Sequence, residues 1–175
     1  MTKQELESQF TNAKNNYFLG LAALSLFASP EAYPILERNH AKFGSYTITF
    51  DQVAKLLRDP TDRDIAVKEF LNGQFRMLIK ESFELLKDYC DETSQSSALK
   101  AEPWFQFARM IRNCLSHNFR FEFNNYDKSL LPVSWKSYAI DVGLDGQHLK
   151  LELFGYVQAW ELFAEFQSFV AKRLA

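Results

Sequence analysis

The sequence predicts a mainly α-helical protein: a four-helix up-and-down bundle with a β-hairpin inserted before the last helix. Apolar residues recur at spacings of three and four along four long segments, which is the period of a helix with one buried face. Between Pro132 and Phe154 they alternate instead, and Asp145-Gly146 supplies the turn signal of a hairpin. We expect one domain over residues 1–175, with the hairpin at about 133–154.

Two long helices are predicted in the first half of the chain. Thr2 to Glu5 has the pattern of a capping box, and the helix that it opens ends at Ser29-Pro30. Its inward positions are Leu6, Phe10, Ala13, Tyr17, Leu21 and Leu24. The next long helix is capped by Thr61 and extends to about Asp91. Its inward positions are Leu71, Phe75, Ile79, Phe83, Leu86 and Cys90.

Shorter elements are predicted between these two helices. Glu31 to Ala41 indicates a short helix, Ser45 to Phe50 an extended piece, and Asp51 to Leu57 another short helix. Within the first helix, the apolar stretch Tyr17 to Ala28 is too short to span a bilayer, and no cationic signal-peptide start precedes it. We interpret it as a buried core helix and expect a cytoplasmic protein without membrane association.

The second half of the chain completes the predicted bundle. Glu92 to Lys100 is polar and is expected to be an exposed connection, after which Pro103 begins a helix. Its inward positions are Trp104, Phe107, Ala108, Ile111 and Leu115. Gly155 to Leu174 predicts the last helix, with Tyr156, Trp160, Phe163, Phe166 and Phe169 turned inward. In the hairpin we expect Tyr138, Ile140 and Val142 to face Leu149, Leu151 and Leu153.

Composition narrows the classes of function. The formal net charge is −2, so any contact with nucleic acid has to come from a local basic patch. Cys90 and Cys114 both lie in apolar helical patterns, which predicts buried free thiols. There is no Gly-rich phosphate loop, no HExxH pair and no Gly-x-Ser-x-Gly, so we predict no cofactor and no metal site.

The chemistry of the chain is concentrated in Arg112-Asn113-Cys114-Leu115-Ser116-His117. Arginine carries a permanent charge and binds phosphate through a planar fork of donors. Histidine exchanges protons near neutral pH. Together they are the minimum needed to cleave a phosphodiester without a metal.

Helical geometry limits how these side chains meet. Arg112 and His117 are five residues apart, so on a regular helix they point about 140° apart. They share a site only if the helix ends or loosens between them, or if a second chain completes the site. Asn113 and His117 share a face, to which Arg109 and Arg120 add positive charge.

The pattern of Arg112, the polar Asn113 and His117 after four intervening residues resembles the R-x4-6-H motif of the HEPN superfamily. The predicted helical bundle, with the motif late in one helix, is also similar. The resemblance implies a metal-independent endoribonuclease of the toxin, antiphage-defence or mobile-element type. It further implies a homodimer that pairs two motifs, and an antitoxin partner such as a small nucleotidyltransferase.

The resemblance also implies residue roles. His117 would activate or position the ribose 2′-hydroxyl of RNA. Arg112 would hold the scissile phosphate and stabilise its developing charge, and Asn113 would orient the histidine or the phosphate. The product would carry a 2′,3′-cyclic phosphate end. Side chains near the motif are expected to contact the substrate: Arg109, Ser116 and Arg120.

Two other hypotheses remain open. The first is a non-catalytic HEPN-like helical module that binds a protein partner or a nucleotide, which the mild acidity of the chain favours. The second is an unrelated helical bundle in which Arg112 and His117 only stabilise a helix end. Both residues lining one open cleft would favour the nuclease, whereas burial in separate ion pairs would favour the structural role.

Overall fold

The computed structural model describes residues 1–175 and is mainly α-helical, with two small antiparallel strand pairs. Its contacts divide the chain into two compact units. The terminal unit comprises Met1–Lys14 and Phe75–Ala175, and the middle unit comprises Asn15–Gln74. The mainly helical class is therefore confirmed, whereas the four-helix arrangement and the single domain over residues 1–175 stay predictions.

The first helix begins with the predicted capping box. The Thr2 backbone N–H donates to Glu5 Oε2 at 2.7 Å, and the Glu5 N–H donates to Thr2 Oγ1 at 3.2 Å. These two bonds satisfy backbone donors that a helix start leaves free. The helix, α1, spans Lys3–Phe27, and its residues up to Lys14 belong to the terminal unit.

The middle unit continues with short elements. They are a 3₁₀ turn at Pro30–Ala32, α2 (Tyr33–Arg38), β1 (His40–Phe43), β2 (Tyr46–Thr49), α3 (Asp51–Arg58) and most of α4 (Pro60–Arg76). β1 pairs with β2 in antiparallel register, and Gly44, with φ of +59°, allows the tight turn between them. The extended piece at Ser45–Phe50 is thus confirmed. The short helix predicted over Glu31–Ala41 is α2, which ends at Arg38, because Ala41 lies in β1.

The apolar stretch Tyr17 to Ala28 is not a buried core helix, and that interpretation is wrong. Tyr17 is buried, but Leu19 is 68% exposed and Leu26 is 63% exposed. Leu21, predicted inward, is exposed as well. The reason is that apolar residues occur all round this part of α1, whereas packing within the middle unit covers only one side of it.

No single helix is long and apolar enough to cross a membrane. One pair of consecutive helices has the length and composition of a membrane span when taken together, Lys3–Phe27 and Pro30–Arg38. The two helices are bent by 92° relative to each other.

The long helix predicted between Thr61 and Asp91 is interrupted. α4 passes through a π-helical segment at Met77–Glu81 into α5 (Ser82–Glu92). Its N-terminal cap is Asp59 rather than Thr61, since the Asp59 carboxylate accepts the N–H groups of Thr61 and Asp62 at 2.9 and 3.0 Å. The connection predicted at Glu92 to Lys100 contains a short helix, α6 (Ser96–Lys100).

The rest of the terminal unit is built around one well-packed helix. The remaining elements are α7 (Phe105–Ser116), α8 (Asn125–Leu130), β3 (Val133–Trp135), β4 (Tyr138–Ile140), a 3₁₀ turn at Val142–Leu144 and α9 (Tyr156–Arg173). The predicted inward residues of this region are all buried: Trp104, Phe107, Ala108, Ile111 and Leu115. This face fixes α7, and therefore the motif at its end, against the core.

The inserted hairpin exists, but its predicted pairing is wrong. Val133 lies opposite Ile140 and Trp135 opposite Tyr138, so the turn falls at Lys136 and not at Asp145-Gly146. The segment after Gly146 bonds elsewhere: the Phe121 N–H donates to the Gln147 carbonyl at 2.9 Å, and the Leu149 N–H donates to the Phe119 carbonyl at 2.7 Å. Leu149, Leu151 and Leu153 therefore do not face Tyr138, Ile140 and Val142.

Aromatic side chains fill the core of the terminal unit. The Phe166 ring centre lies 5.0 Å from that of Trp104 and 5.9 Å from that of Phe83, and all three side chains are buried. These ring–ring contacts of Phe166 add to the free energy gained from burying the rings. On the same helix, α9, Tyr156 stays partly exposed although it was predicted inward.

We expect Phe166→Ala to lower the free energy of unfolding by about 3–5 kcal/mol, because it leaves a cavity between Trp104 and Phe83. Urea unfolding followed by circular dichroism measures the change. Val157→Ala on the exposed side of α9 is the control and should stay within about 0.5 kcal/mol of wild type. Equal effects of the two substitutions would contradict this packing.

Candidate functional site

The motif lies where α7 ends. His117 is the cap residue, and its N–H still donates to the Asn113 carbonyl at 3.1 Å. Asn118 and Phe119 follow with φ of 53° and 62°, the left-handed region that non-glycine residues rarely adopt. Two such residues in succession end the helix abruptly and turn the chain. Arg112 is thus in the last helical turn, while His117 stands at the break.

Arg112 is held by two neighbours. Its guanidinium pairs with the Glu84 carboxylate of α5, and Nη1 donates to Asn113 Oδ1 at 2.9 Å. The side chain is 31% exposed, while Nε is buried without a hydrogen-bond partner. Burial lowers the pKa of the guanidinium, an effect that the negative charge of Glu81 opposes. Arginine keeps its positive charge at neutral pH in either case.

His117 has a different carboxylate partner. Its Nδ1 lies 3.1 Å from Glu122 Oε2, and the two side chains are 48% and 54% exposed. The contact does not have the geometry of a hydrogen bond, and both side chains are about half exposed. Glu122 thus places a negative charge beside the Nδ1 edge of the exposed His117 ring.

The structure joins some of the predicted site residues and leaves others apart. Arg112 and Asn113 are hydrogen-bonded to each other. Arg112 and His117 are not, and each has its own carboxylate, Glu84 or Glu122. Within one chain, the two residues thus contact two different carboxylates, and both contacts are partly open to solvent.

Arg109 is fixed by a buried partner. Its Nη1 donates to Asp127 Oδ1 at 2.7 Å, and Asp127 is almost fully buried. Asp127 also closes the capping box of α8, because its carboxylate accepts the N–H of Asn124 while its own N–H donates to Asn124 Oδ1. The charge of Arg109 therefore positions α8 against α7.

The other predicted contacts make backbone bonds. Ser116 Oγ donates to the Arg112 carbonyl at 3.0 Å. Arg120 donates to the Gly146 carbonyl, and its Nη2 lies 3.0 Å from His148 Nε2. Both side chains are exposed, so a role in substrate binding stays a prediction.

A cavity of about 290 Å³ opens beside Arg112. Its lining comes from α5 to α8 and consists of Phe83, Lys87, Lys100, Phe105, Gln106, Arg109, Arg112, Asn113 and Tyr126. His117 is not part of the lining. The cavity therefore extends the site from the arginine side of the motif.

Sequence reasoning missed the partners of the motif. Glu84, Lys87 and Lys100 lie on helices that come before α7, and no local pattern places them beside it. Only Glu122 could have been predicted to lie near the motif, because it follows the end of α7 by only a few residues in an extended segment. A carboxylate so close to a candidate base is a signal that could have been used.

No protein-family model, curated protein or solved structure matches this chain. The structure contains no group of three or more His, Cys, Asp or Glu side chains that could hold a metal ion.

We expect Asp127→Ala to lower the free energy of unfolding by about 3–5 kcal/mol, because it leaves Arg109 without its buried partner. It also removes the capping box of α8. The control is Lys128→Ala, which breaks the exposed ion pair with Asp145 and should leave stability unchanged. If both variants unfold at the wild-type urea concentration, the Arg109–Asp127 pair does not fix α8.

The cysteine inside the motif is a core residue. Cys114 and Cys90 are both buried and free, as predicted. Burial raises the pKa of Cys114 to about 12 and that of Cys90 to about 11. Neither thiol is thus ionised in the folded protein at neutral pH, and Cys114 is no candidate nucleophile.

Both thiols should resist iodoacetamide at pH 8 in the folded protein and react readily in urea. Unfolded thiols ionise near pH 8.5, well below the pKa values of about 11 and 12 in the fold. Between these pH values the unfolded chain loses its thiol protons while the folded protein keeps them. The free energy of unfolding is therefore unaffected by the thiols below about pH 8.5 and declines as pH rises towards 11 and 12. Mass spectrometry of the labelled protein gives the readout; rapid labelling of the native chain at pH 8 would contradict the burial.

Proposed function

We propose that this protein is a HEPN-like, metal-independent endoribonuclease whose active site is completed by a second copy of the chain. The observation that carries the proposal is the His117–Glu122 contact, in which a 48% exposed imidazole has its Nδ1 3.1 Å from a carboxylate oxygen. A general base needs to be accessible to its substrate, and a neighbouring carboxylate stabilises the imidazolium that forms when it takes a proton. The break at the end of α7 supports it further, because it releases His117 into solvent.

The reaction follows from the chemistry of RNA. Nε2 of His117 takes the proton of a ribose 2′-hydroxyl, and the oxygen attacks the adjacent phosphorus. The bond from phosphorus to the 5′-oxygen breaks, and this oxygen takes a proton from a second imidazolium or from water. The products are a 2′,3′-cyclic phosphate and a 5′-hydroxyl. DNA lacks the 2′-hydroxyl and is not cleaved.

Arg112 can bind the phosphate without giving up its present partners. A guanidinium has five N–H donors, and Glu84 and Asn113 use one on each terminal nitrogen. One further donor on each terminal nitrogen stays available in a side chain that is partly exposed. Charge that develops on the phosphate oxygens would be stabilised there.

A homodimer resolves the separation of Arg112 from His117. Two α7 ends related by a two-fold axis would bring the arginine of one copy to the histidine of the other. The toxin or antiphage-defence setting, the cytoplasmic location and an antitoxin such as a small nucleotidyltransferase belong to the same proposal, and only the family resemblance supports them.

A second candidate function is a non-catalytic helical module that binds a protein partner or a nucleotide. Arg112 and His117 contact separate carboxylates within the chain, which favours a non-catalytic role of the motif. The overall net charge of −2 also gives no general attraction to RNA.

Cleavage of RNA in the presence of EDTA tests the proposal. Wild type should cut single-stranded or loop regions, and His117→Ala should reduce the rate by about 10²–10⁴-fold because the base is lost. The matched control is His40→Ala, which removes an exposed histidine of β1. Digestion products should carry 2′,3′-cyclic phosphate ends. If wild type cuts nothing, or if His117→Ala cuts at the wild-type rate, the motif does not catalyse RNA cleavage.

A further inference from the structure

Four cationic side chains line the cavity beside α7. Lys87, Lys100, Arg109 and Arg112 line it, and no carboxylate does. Acidic partners engage three of the four cations. Lys100 forms no ion pair, although its charge helps to lower the pKa of Asp91. On a chain with a net charge of −2, Lys100 is the cation of this cavity that an anionic ligand could engage without displacing a carboxylate.

The cavity also offers flat apolar surface. Phe83 and Phe105, with ring centres 5.7 Å apart, are buried against it. Tyr126 at the rim is 60% exposed, and the Arg109 guanidinium carbon lies 5.1 Å from its ring centre. Arg109 is itself anchored to Asp127, so this cation–π contact holds the tyrosine ring in place.

Two amide groups complete the lining. Gln106 Oε1 accepts from Arg109 at 3.0 Å, and Asn113 Oδ1 accepts from Arg112 at 2.9 Å. Arginine has only donors, so the amide oxygens must face the guanidinium groups. Both NH₂ groups are therefore left to donate to a ligand that carries acceptors.

We propose that this cavity is a subsite for one unpaired RNA nucleotide. Its base stacks on Tyr126 and accepts hydrogen bonds from Gln106 and Asn113, while its phosphate lies at Lys87 and Lys100. The volume of about 290 Å³ is at the lower end of small-ligand pockets, which fits a single nucleotide with its backbone open to solvent. Stacking on aromatic side chains with charge on the backbone is how proteins hold single strands.

The subsite adjoins the proposed reaction centre through shared residues. Arg112 and Asn113 belong both to the motif and to the cavity lining. A strand with one base in the cavity would present a neighbouring phosphate to Arg112. The cavity would thus add a nucleotide-binding subsite to the proposed nuclease, and for the cutting step the subsite rests on that proposed function.

Binding of a 5′-fluorescein-labelled ten-nucleotide single-stranded RNA to the full-length His117→Ala protein tests the subsite. Fluorescence anisotropy at low salt should show binding, and Tyr126→Ala in the same background should weaken it by about 5- to 100-fold because stacking is lost. Tyr126→Phe keeps the ring and should bind like the parent. Circular dichroism confirms that each variant is folded.

A second pair of variants tests the charge. Lys100→Ala should weaken binding and lower the slope of log Kd against log salt by about 0.7. The matched control is Lys172→Ala, which removes an exposed lysine outside the cavity and should change neither quantity. Polyglutamate as competitor separates a nucleotide site from a site for acidic protein segments, because it should displace the RNA only weakly.

The outcomes separate this inference from the proposed function. RNA binding that Tyr126→Ala and Lys100→Ala leave unchanged, or that polyglutamate abolishes as effectively as unlabelled RNA, would overturn the subsite even if cleavage depends on His117. Binding that requires Tyr126 and Lys100, in a protein that cuts no RNA, would establish the subsite and overturn only the nuclease. No binding at low salt would overturn the subsite.

Discussion

The abrupt end of α7 is the constraint on which the site depends. The buried face of this helix, from Trp104 to Leu115, fixes its position in the terminal unit. Left-handed Asn118 and Phe119 then turn the chain, so that His117 stands in solvent within reach of Glu122. A helix that continued past Ser116 would keep Arg112 and His117 on divergent faces and would move Glu122 away.

Charge partners divide the site into a structural part and a chemical part. Arg109 is fully engaged by the buried Asp127 and organises α8, which in turn carries Tyr126. Arg112 and His117 have partly exposed partners, so their remaining donors and acceptors stay accessible. α7 thus uses Arg109 to hold the fold together and leaves Arg112 accessible to a ligand.

Local sequence signals predicted the local structure well. The capping box at Thr2 and the inward face of α7 follow from neighbouring residues, and the structure confirms both. Predictions that needed a distant partner were wrong more often. Asp145-Gly146 does make a turn, but the segment that follows bonds to the segment after α7 rather than to β4. The carboxylate of Glu84 and the ring of Tyr126 reach the site only through tertiary packing.

In the proposed dimer, Arg112 and His117 act together across two copies of the chain. Mixing inactive Arg112→Ala with inactive His117→Ala separates this arrangement from a site within one chain, because a mixed dimer contains one site with an intact arginine and an intact histidine. After random exchange of subunits, RNA cleavage should return to about a quarter of the wild-type rate. A mixture as inactive as either variant alone would contradict a shared site.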